Sequence, residues 1–92
     1  MIRGFKDRQT KALHDGESVL RFAAIKSVAL RKLDMLDAAK ALADLRLPPG
    51  NRLEMLHGDR NGQYSIRINS QWRLCFVWSD DGPDEVEIVD YH

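Results

Sequence analysis

Arg73, Asp90, Tyr91 and His92 are the residues of this sequence whose types could do chemistry together. Cleaving an RNA chain by attack of a 2′-hydroxyl on its own phosphorus makes three demands. One group removes a proton, another protonates the departing 5′-oxygen, and a cation stabilises the phosphorane charge. Histidine titrates near neutrality and serves either proton transfer. Arginine brings a fixed charge and a fork of donors matched to phosphate oxygens. Tyrosine stacks on an unpaired base or hydrogen-bonds to the phosphate, and a neighbouring aspartate such as Asp90 can orient an imidazole. Taken singly, these residues say less. Arg73 alternates with Trp72 and Leu74 as the polar face of a strand would, and Tyr91-His92 reads as a terminus. Two features add weight: the apolar run 86–89 carries the last residues onto the sheet, and a chain that stops on an imidazole sets its own α-carboxylate beside the ring, favouring the protonated form.

Other chemistries fit less well. His14, His57, Cys75 and His92 are far apart and show none of the short ligand pairs of zinc sites, so neither a metal nor another cofactor is expected. The Gly58-Asp59-Arg60-Asn61-Gly62 segment links two strands rather than opening a helix, which makes it a hairpin turn before a phosphate loop. Arg60 can still reach a phosphate from that turn. Cys75 lies in the apolar run 74–78 and is expected to be a small buried side chain, not a nucleophile. Trp72, Phe76 and Trp78 are expected in the core or an interface rather than as stacking platforms.

The elements that must position these groups follow from periodicity. A short alternating segment at 2–5 precedes Asp7, which can cap a helix reaching Leu13 or His14 before Asp15-Gly16 breaks it. From Ile25, apolar residues recur at Val28, Ala29, Leu33, Leu36 and Ala39 or Ala41, the spacing of an amphipathic helix with Lys26, Arg31, Lys32 and Asp37 outside. Pro48-Pro49-Gly50 ends helical structure. Strands are then predicted at 52–57, 64–68, 71–78 and 86–89, with turns at 58–62 and 69–70 and an acidic turn at 79–84. Helices followed by hairpin-linked strands predict an α+β domain, an antiparallel twisted sheet with its N-terminal helices packed on one face. Adjacent hairpins place the Trp72-Arg73 strand beside both the Tyr64 strand and the C-terminal one.

Ninety-two residues make one domain, 1–92. No apolar run approaches the ~18 residues of a membrane span, and the N-terminus lacks a signal-peptide apolar segment, which predicts a cytoplasmic protein without membrane contact. The net charge of zero hides an asymmetry. All 14 Lys and Arg fall between Arg3 and Arg73, whereas Asp80, Asp81, Asp84, Glu85, Glu87 and Asp90 crowd the last segment. Residues 1–79 therefore carry 14 basic against 8 acidic side chains, compatible with a polyanionic partner but not with indiscriminate nucleic-acid binding.

With these residues in view, the chain resembles the HigB toxins of the RelE/ParE superfamily, and within them the GraT-type branch. The resemblance runs essentially end to end. Matching segments include Met1-Ile2-Arg3-Gly4-Phe5, the helix 25–33, Pro48-Pro49-Gly50-Asn51-Arg52-Leu53-Glu54, Gly58-Asp59-Arg60, 69–76 and 86–92. The Gly-Asp-Arg turn, the Trp-Arg strand and the terminal Asp-Tyr-His are specific in combination. The resemblance implies a RelE-like fold and a ribosome-dependent endoribonuclease that cuts mRNA in the decoding site without a metal. It also implies neutralisation by a HigA-type helix-turn-helix antitoxin, through which the complex meets operator DNA. Family roles fall on Arg73 as the phosphate-stabilising cation and on Asp90, Tyr91 and His92 as the C-terminal catalytic group. RNA or phosphate contacts are expected of Arg60 and Arg67. Lys26, Arg31 and Lys32 are candidates for contacts with ribosomal RNA, a solvated helix face being the plainer reading.

The chain departs from the family where some HigB toxins place a histidine and a lysine, carrying Glu54 and His57 instead. Glu54 cannot act as a cation. Either His57 replaces the missing function or it is an exposed structural histidine, and a weakened nuclease is expected. Two other functions stay open: a ParE-like gyrase poison, against which the terminal Asp-Tyr-His speaks, and a catalytically weak module that chiefly binds antitoxin and operator.

Overall fold

A computed structural model describes residues 1–90. Helix α1 spans Arg8–His14 and starts where expected: the Asp7 carboxylate accepts from the amides of Gln9 at 3.3 Å and Thr10 at 3.1 Å. A 3-10 segment, Leu20–Ile25, leads directly into α2, Lys26–Ala38. Ile25, Ala29, Leu33 and Leu36 are buried at three- and four-residue spacing, so the apolar stripe of α2 lies along the core. The helix ends as Ala39 turns extended.

Four strands follow, β1 (Glu54–Met55), β2 (Tyr64–Arg67), β3 (Trp72–Ser79) and β4 (Gly82–Asp90), paired antiparallel in the order β1-β2-β3-β4. The arrangement is α+β, with α1 packed on β4 and α2 on β3. The N-terminal segment adds a short parallel contact at the far edge: Phe5 bridges Val86, and the Arg3 amide donates to the Pro83 carbonyl at 2.8 Å.

Two strand boundaries differ from expectation. β1 begins at Glu54 because Arg52, two residues before it, turns left-handed at φ 46 and ψ 58, and it ends at Met55, short of the expected 57. β4 begins at Gly82, not Val86. The acidic turn contracts to Asp80-Asp81 between the paired Ser79 and Gly82, and the Ser79 hydroxyl donates to the Gly82 carbonyl at 2.6 Å. Gly82 has φ +124, and a Cβ there would come within 2.5 Å of the Met1 carbonyl oxygen. A β-bulge then absorbs one residue, since Cys75 pairs with Glu87 while Val77 pairs with Asp84, and Glu85 sits at φ 49. The bulge resets the alternation so that Val86 and Ile88 both enter the core.

That core joins the helices to one sheet face through Ile66, Ile68, Leu74, Phe76, Val86 and Ile88. Trp72 and Trp78 pack against it, as expected of core aromatics. By the same alternation the other face carries Ser65, Arg67, Arg73, Cys75, Glu87 and Val89.

The outer face of α2 corrects two expectations. Lys26 and Arg31 are exposed as foreseen, but Lys32 is 7% exposed and donates to Asn51 Oδ1. Asn51, itself buried, donates onward to the Leu45 carbonyl at 3.1 Å. Lys32 thus ties the 3-10 turn Pro49–Asn51 to the helix, and its burial lowers its pKa from the ordinary 10.5, with Arg31 and Arg67 adding to the shift. Asp37 is turned inward as well, accepting from the Ile2 amide at 2.8 Å.

Candidate active site

The sheet face away from the helices gathers charge in two rows. Glu54, Ser65, Cys75 and Glu87 follow one another in register across β1 to β4. Arg67, Arg73 and Val89 form the next row. Two arginines directly opposite one another on adjacent strands repel, an arrangement that an anion between them relieves.

Arg73 is the centre of this face. It is only 8% exposed, and its guanidinium is fixed by Nε donating to Ser65 Oγ at 2.8 Å and Nη2 donating to the Arg52 carbonyl at 2.8 Å. The left-handed turn at Arg52 therefore has a use, since it offers its carbonyl to the planar fork. Glu54, paired with Ser65, brings Oε1 to 3.9 Å from Nη1 of Arg73. The carboxylate side chain stays 53% exposed, so it offsets part of the arginine's charge without sealing it from solvent.

Arg60 reaches the same face from the other end. It stands in the 3-10 turn Gly58–Arg60 and donates to Gln63 Oε1 and Glu87 Oε1, both at 3.2 Å. Cys75 is fully buried in this row, and desolvation raises its thiol pKa, which leaves it a protonated spectator rather than a nucleophile. His57 is exposed at the start of the Gly58–Arg60 turn, so Glu54 rather than His57 is the departing residue that the fold sets against Arg73. Arg67 is half-buried opposite Arg73.

Asp90 closes β4 opposite Trp72, one residue out of step with Arg73, which faces Val89. Successive strand residues point to opposite faces, so Asp90 belongs to the Trp72 side of the pleat. Gln71 Nε2 donates to its Oδ2 at 3.2 Å. Tyr91 and His92, the other expected members of the C-terminal group, lie outside the described residues. Among the described residues, no three His, Cys, Asp or Glu side chains converge as metal ligands, and no helix is long and apolar enough to cross a membrane.

Sequence reasoning missed Ser65 and the Arg52 carbonyl. Ser65 carried a signal, being a small polar residue on the same face of an alternating strand as Arg67. A backbone carbonyl carries none.

Comparisons with known proteins agree with this architecture. The family model for the HigB-like toxins, described as RelE-like toxins of the type II toxin-antitoxin system HigB, matches residues 3–92. The chain is 45% identical over 82 residues to Toxin HigB-1 of Vibrio cholerae serotype O1, an alignment taking in 87% of this chain and 86% of that one. It is also 46% identical over 54 residues to an uncharacterized protein of Haemophilus influenzae, covering 59% of this chain and 54% of that one. The chain belongs to the HigB-like toxin family, the RelE-like toxins of type II toxin-antitoxin systems.

Proposed function

We propose that this toxin is an endoribonuclease that cuts mRNA in the decoding site of the cytoplasmic ribosome, and that its partner is a HigA-type helix-turn-helix antitoxin that carries the complex to operator DNA. One observation chiefly supports the reading. In a chain of this family, a nearly buried arginine is held rigidly on the helix-free face, opposite a second arginine. A preorganised guanidinium stabilises charge that develops in the transition state without having to reorganise.

The reaction is transesterification. The 2′-oxygen bonds to phosphorus as the bond from phosphorus to the 5′-oxygen breaks, leaving a 2′,3′-cyclic phosphate and a free 5′-hydroxyl. Arg73 balances the additional phosphorane charge, and Arg67 and Arg60 hold the strand. His92 donates the proton to the leaving oxygen and Tyr91 orients the phosphate, while Asp90, on the Trp72 side of β4, acts on the strand end that carries them rather than at the phosphate. His57 is the candidate base for the 2′-hydroxyl. Glu54 places negative charge beside Arg73, which supports the expectation of a slow enzyme.

The test is a translation reaction supplied with purified toxin, in which mRNA ends are mapped. New ends inside codons on ribosome-bound message, absent when the toxin is withheld, are the expected result. Intact message together with arrested gyrase supercoiling would overturn the reading in favour of a gyrase poison. Intact message and tight antitoxin binding alone would leave only an interaction module.

A further inference from the structure

Beyond the Arg73 face, a cavity of about 250 Å³ opens at the β1 edge of the sheet, lined by Arg46, Pro49, Arg52, Leu53, Met55 and Tyr64. Three properties mark it as more than a gap between loops. Two arginines, Arg46 and Arg52, are among its lining residues, both are exposed, and neither has an ion-pair partner among the described residues. Its remaining wall is apolar and aromatic. Tyr64 is braced by stacking on Phe76, with centroids 6.2 Å apart and planes 25° from parallel, so the ring is a fixed platform. Met55, which faces Tyr64 across the β1–β2 pair, stays 57% exposed beside it.

The third property is continuity. Arg52 lines this cavity, and its carbonyl holds Arg73. One residue thus joins the cavity to the candidate catalytic arginine, around an edge strand only two residues long.

We propose that this cavity is a nucleotide subsite for single-stranded RNA: Arg46 and Arg52 take a backbone phosphate, and a base lies against Tyr64 between Pro49, Leu53 and Met55. The strand is the one engaged at Arg73, which passes over the β1 edge so that the next nucleotide enters the cavity. Paired cations with an aromatic platform are what an unpaired nucleotide requires. The volume is below that of typical drug-sized pockets, about 300–1,000 Å³, and suits a single nucleotide. An acidic peptide would use the arginines but has no need of the Tyr64 platform. The inference rests on the nuclease reading and deepens it.

The test uses the intact toxin and a short fluorescent 2′-O-methyl RNA, which binds but cannot be cut. Arg46→Glu, at an exposed loop position, should weaken binding about tenfold and lower the salt dependence by about one phosphate contact. In wild-type protein the RNA should shift the amide resonances of Leu53, Met55 and Tyr64. Tyr64→Leu should weaken binding by a similar factor. Should that variant unfold, Arg46→Glu and the resonance map decide alone. Unchanged affinity and salt slope in Arg46→Glu would overturn the inference, as would loss of antitoxin binding alone. Equal displacement of the probe by inorganic phosphate at matched phosphate concentration would also overturn it.

The two readings fail separately. Arg46→Glu protein that cuts ribosome-bound mRNA at the wild-type rate removes the subsite and leaves the nuclease. Wild-type protein that binds the probe through Arg46 yet cuts nothing removes the nuclease and leaves the subsite.

Discussion

The carboxylate of Glu54 stands 3.9 Å from the guanidinium of Arg73 on the helix-free face of the sheet. An acid in that position lowers the positive potential at the place the proposed nuclease reading gives to an RNA phosphate. Glu54→Gln should therefore raise the rate of mRNA cleavage, by about two- to fivefold, the scale of a largely exposed ion pair. Thermal unfolding should change little. A fall in rate instead would show that Glu54 itself accepts the proton of the 2′-hydroxyl, assigning it the base role now given to His57.

Ser65 has a positioning part. Its Oγ accepts from Arg73 Nε at 2.8 Å, and both side chains are buried. Ser65→Ala leaves a buried guanidinium donor unsatisfied, costing about 1–3 kcal/mol of stability. Cleavage in the still-folded protein should drop about ten- to hundredfold, because small displacements of a charge-stabilising group are expensive. Normal cleavage by a destabilised variant would make Ser65 a structural residue only.

Much of this fold was legible from periodicity and caps. α2 declares itself by Ala29, Leu33 and Leu36, and α1 by the Asp7 cap, because both signals are local. The juxtaposition of β3 with β2 and β4 followed from consecutive hairpins. What escaped depends on contacts distant in sequence. Lys32 fits the polar side of a helical wheel, yet Asn51, 19 residues away, supplies an acceptor that draws it under cover. The start of β4 was hidden because Gly82, Pro83 and Asp84 have loop chemistry, and only the bulge at Glu85 reconciles them with a strand. For the candidate site, Arg73 was identifiable by type and place. Its clamp was not, since half of it is the Arg52 carbonyl.

Buried Lys32 makes a pH-dependent prediction. Its folded-state pKa is below the ordinary 10.5, so the folded protein releases this proton before the unfolded chain does. Stability then rises with pH between the lowered value and 10.5, because there the unfolded state binds more protons. Wild-type protein should gain stability over that window relative to Lys32→Met, whose own curve lacks the rise. Denaturant unfolding across the alkaline range checks it, and parallel curves would contradict it.

Thr10 links helix to sheet. Its hydroxyl donates to Asp7 at 2.7 Å and accepts from the Ile88 amide at 3.0 Å, so one buried group serves both the α1 cap and β4. Thr10→Val should cost about 1–3 kcal/mol in denaturant unfolding by orphaning the Ile88 amide. Cleavage at temperatures where the variant is folded should be unchanged, since Thr10 belongs to the helix side of the sheet. A selective loss of activity would contradict that division between the two faces.

The most direct test of the central claim compares wild type with Arg73→Gln in the same translation reaction, measuring the rate at which new mRNA ends appear, with folding checked by circular dichroism. Glutamine keeps a donor for Ser65 but removes the charge and the fork. If Arg73 is the cation that stabilises the phosphorane, cleavage should fall by about a hundredfold or more while the protein stays folded. A folded Arg73→Gln toxin that cuts at the wild-type rate would contradict the account.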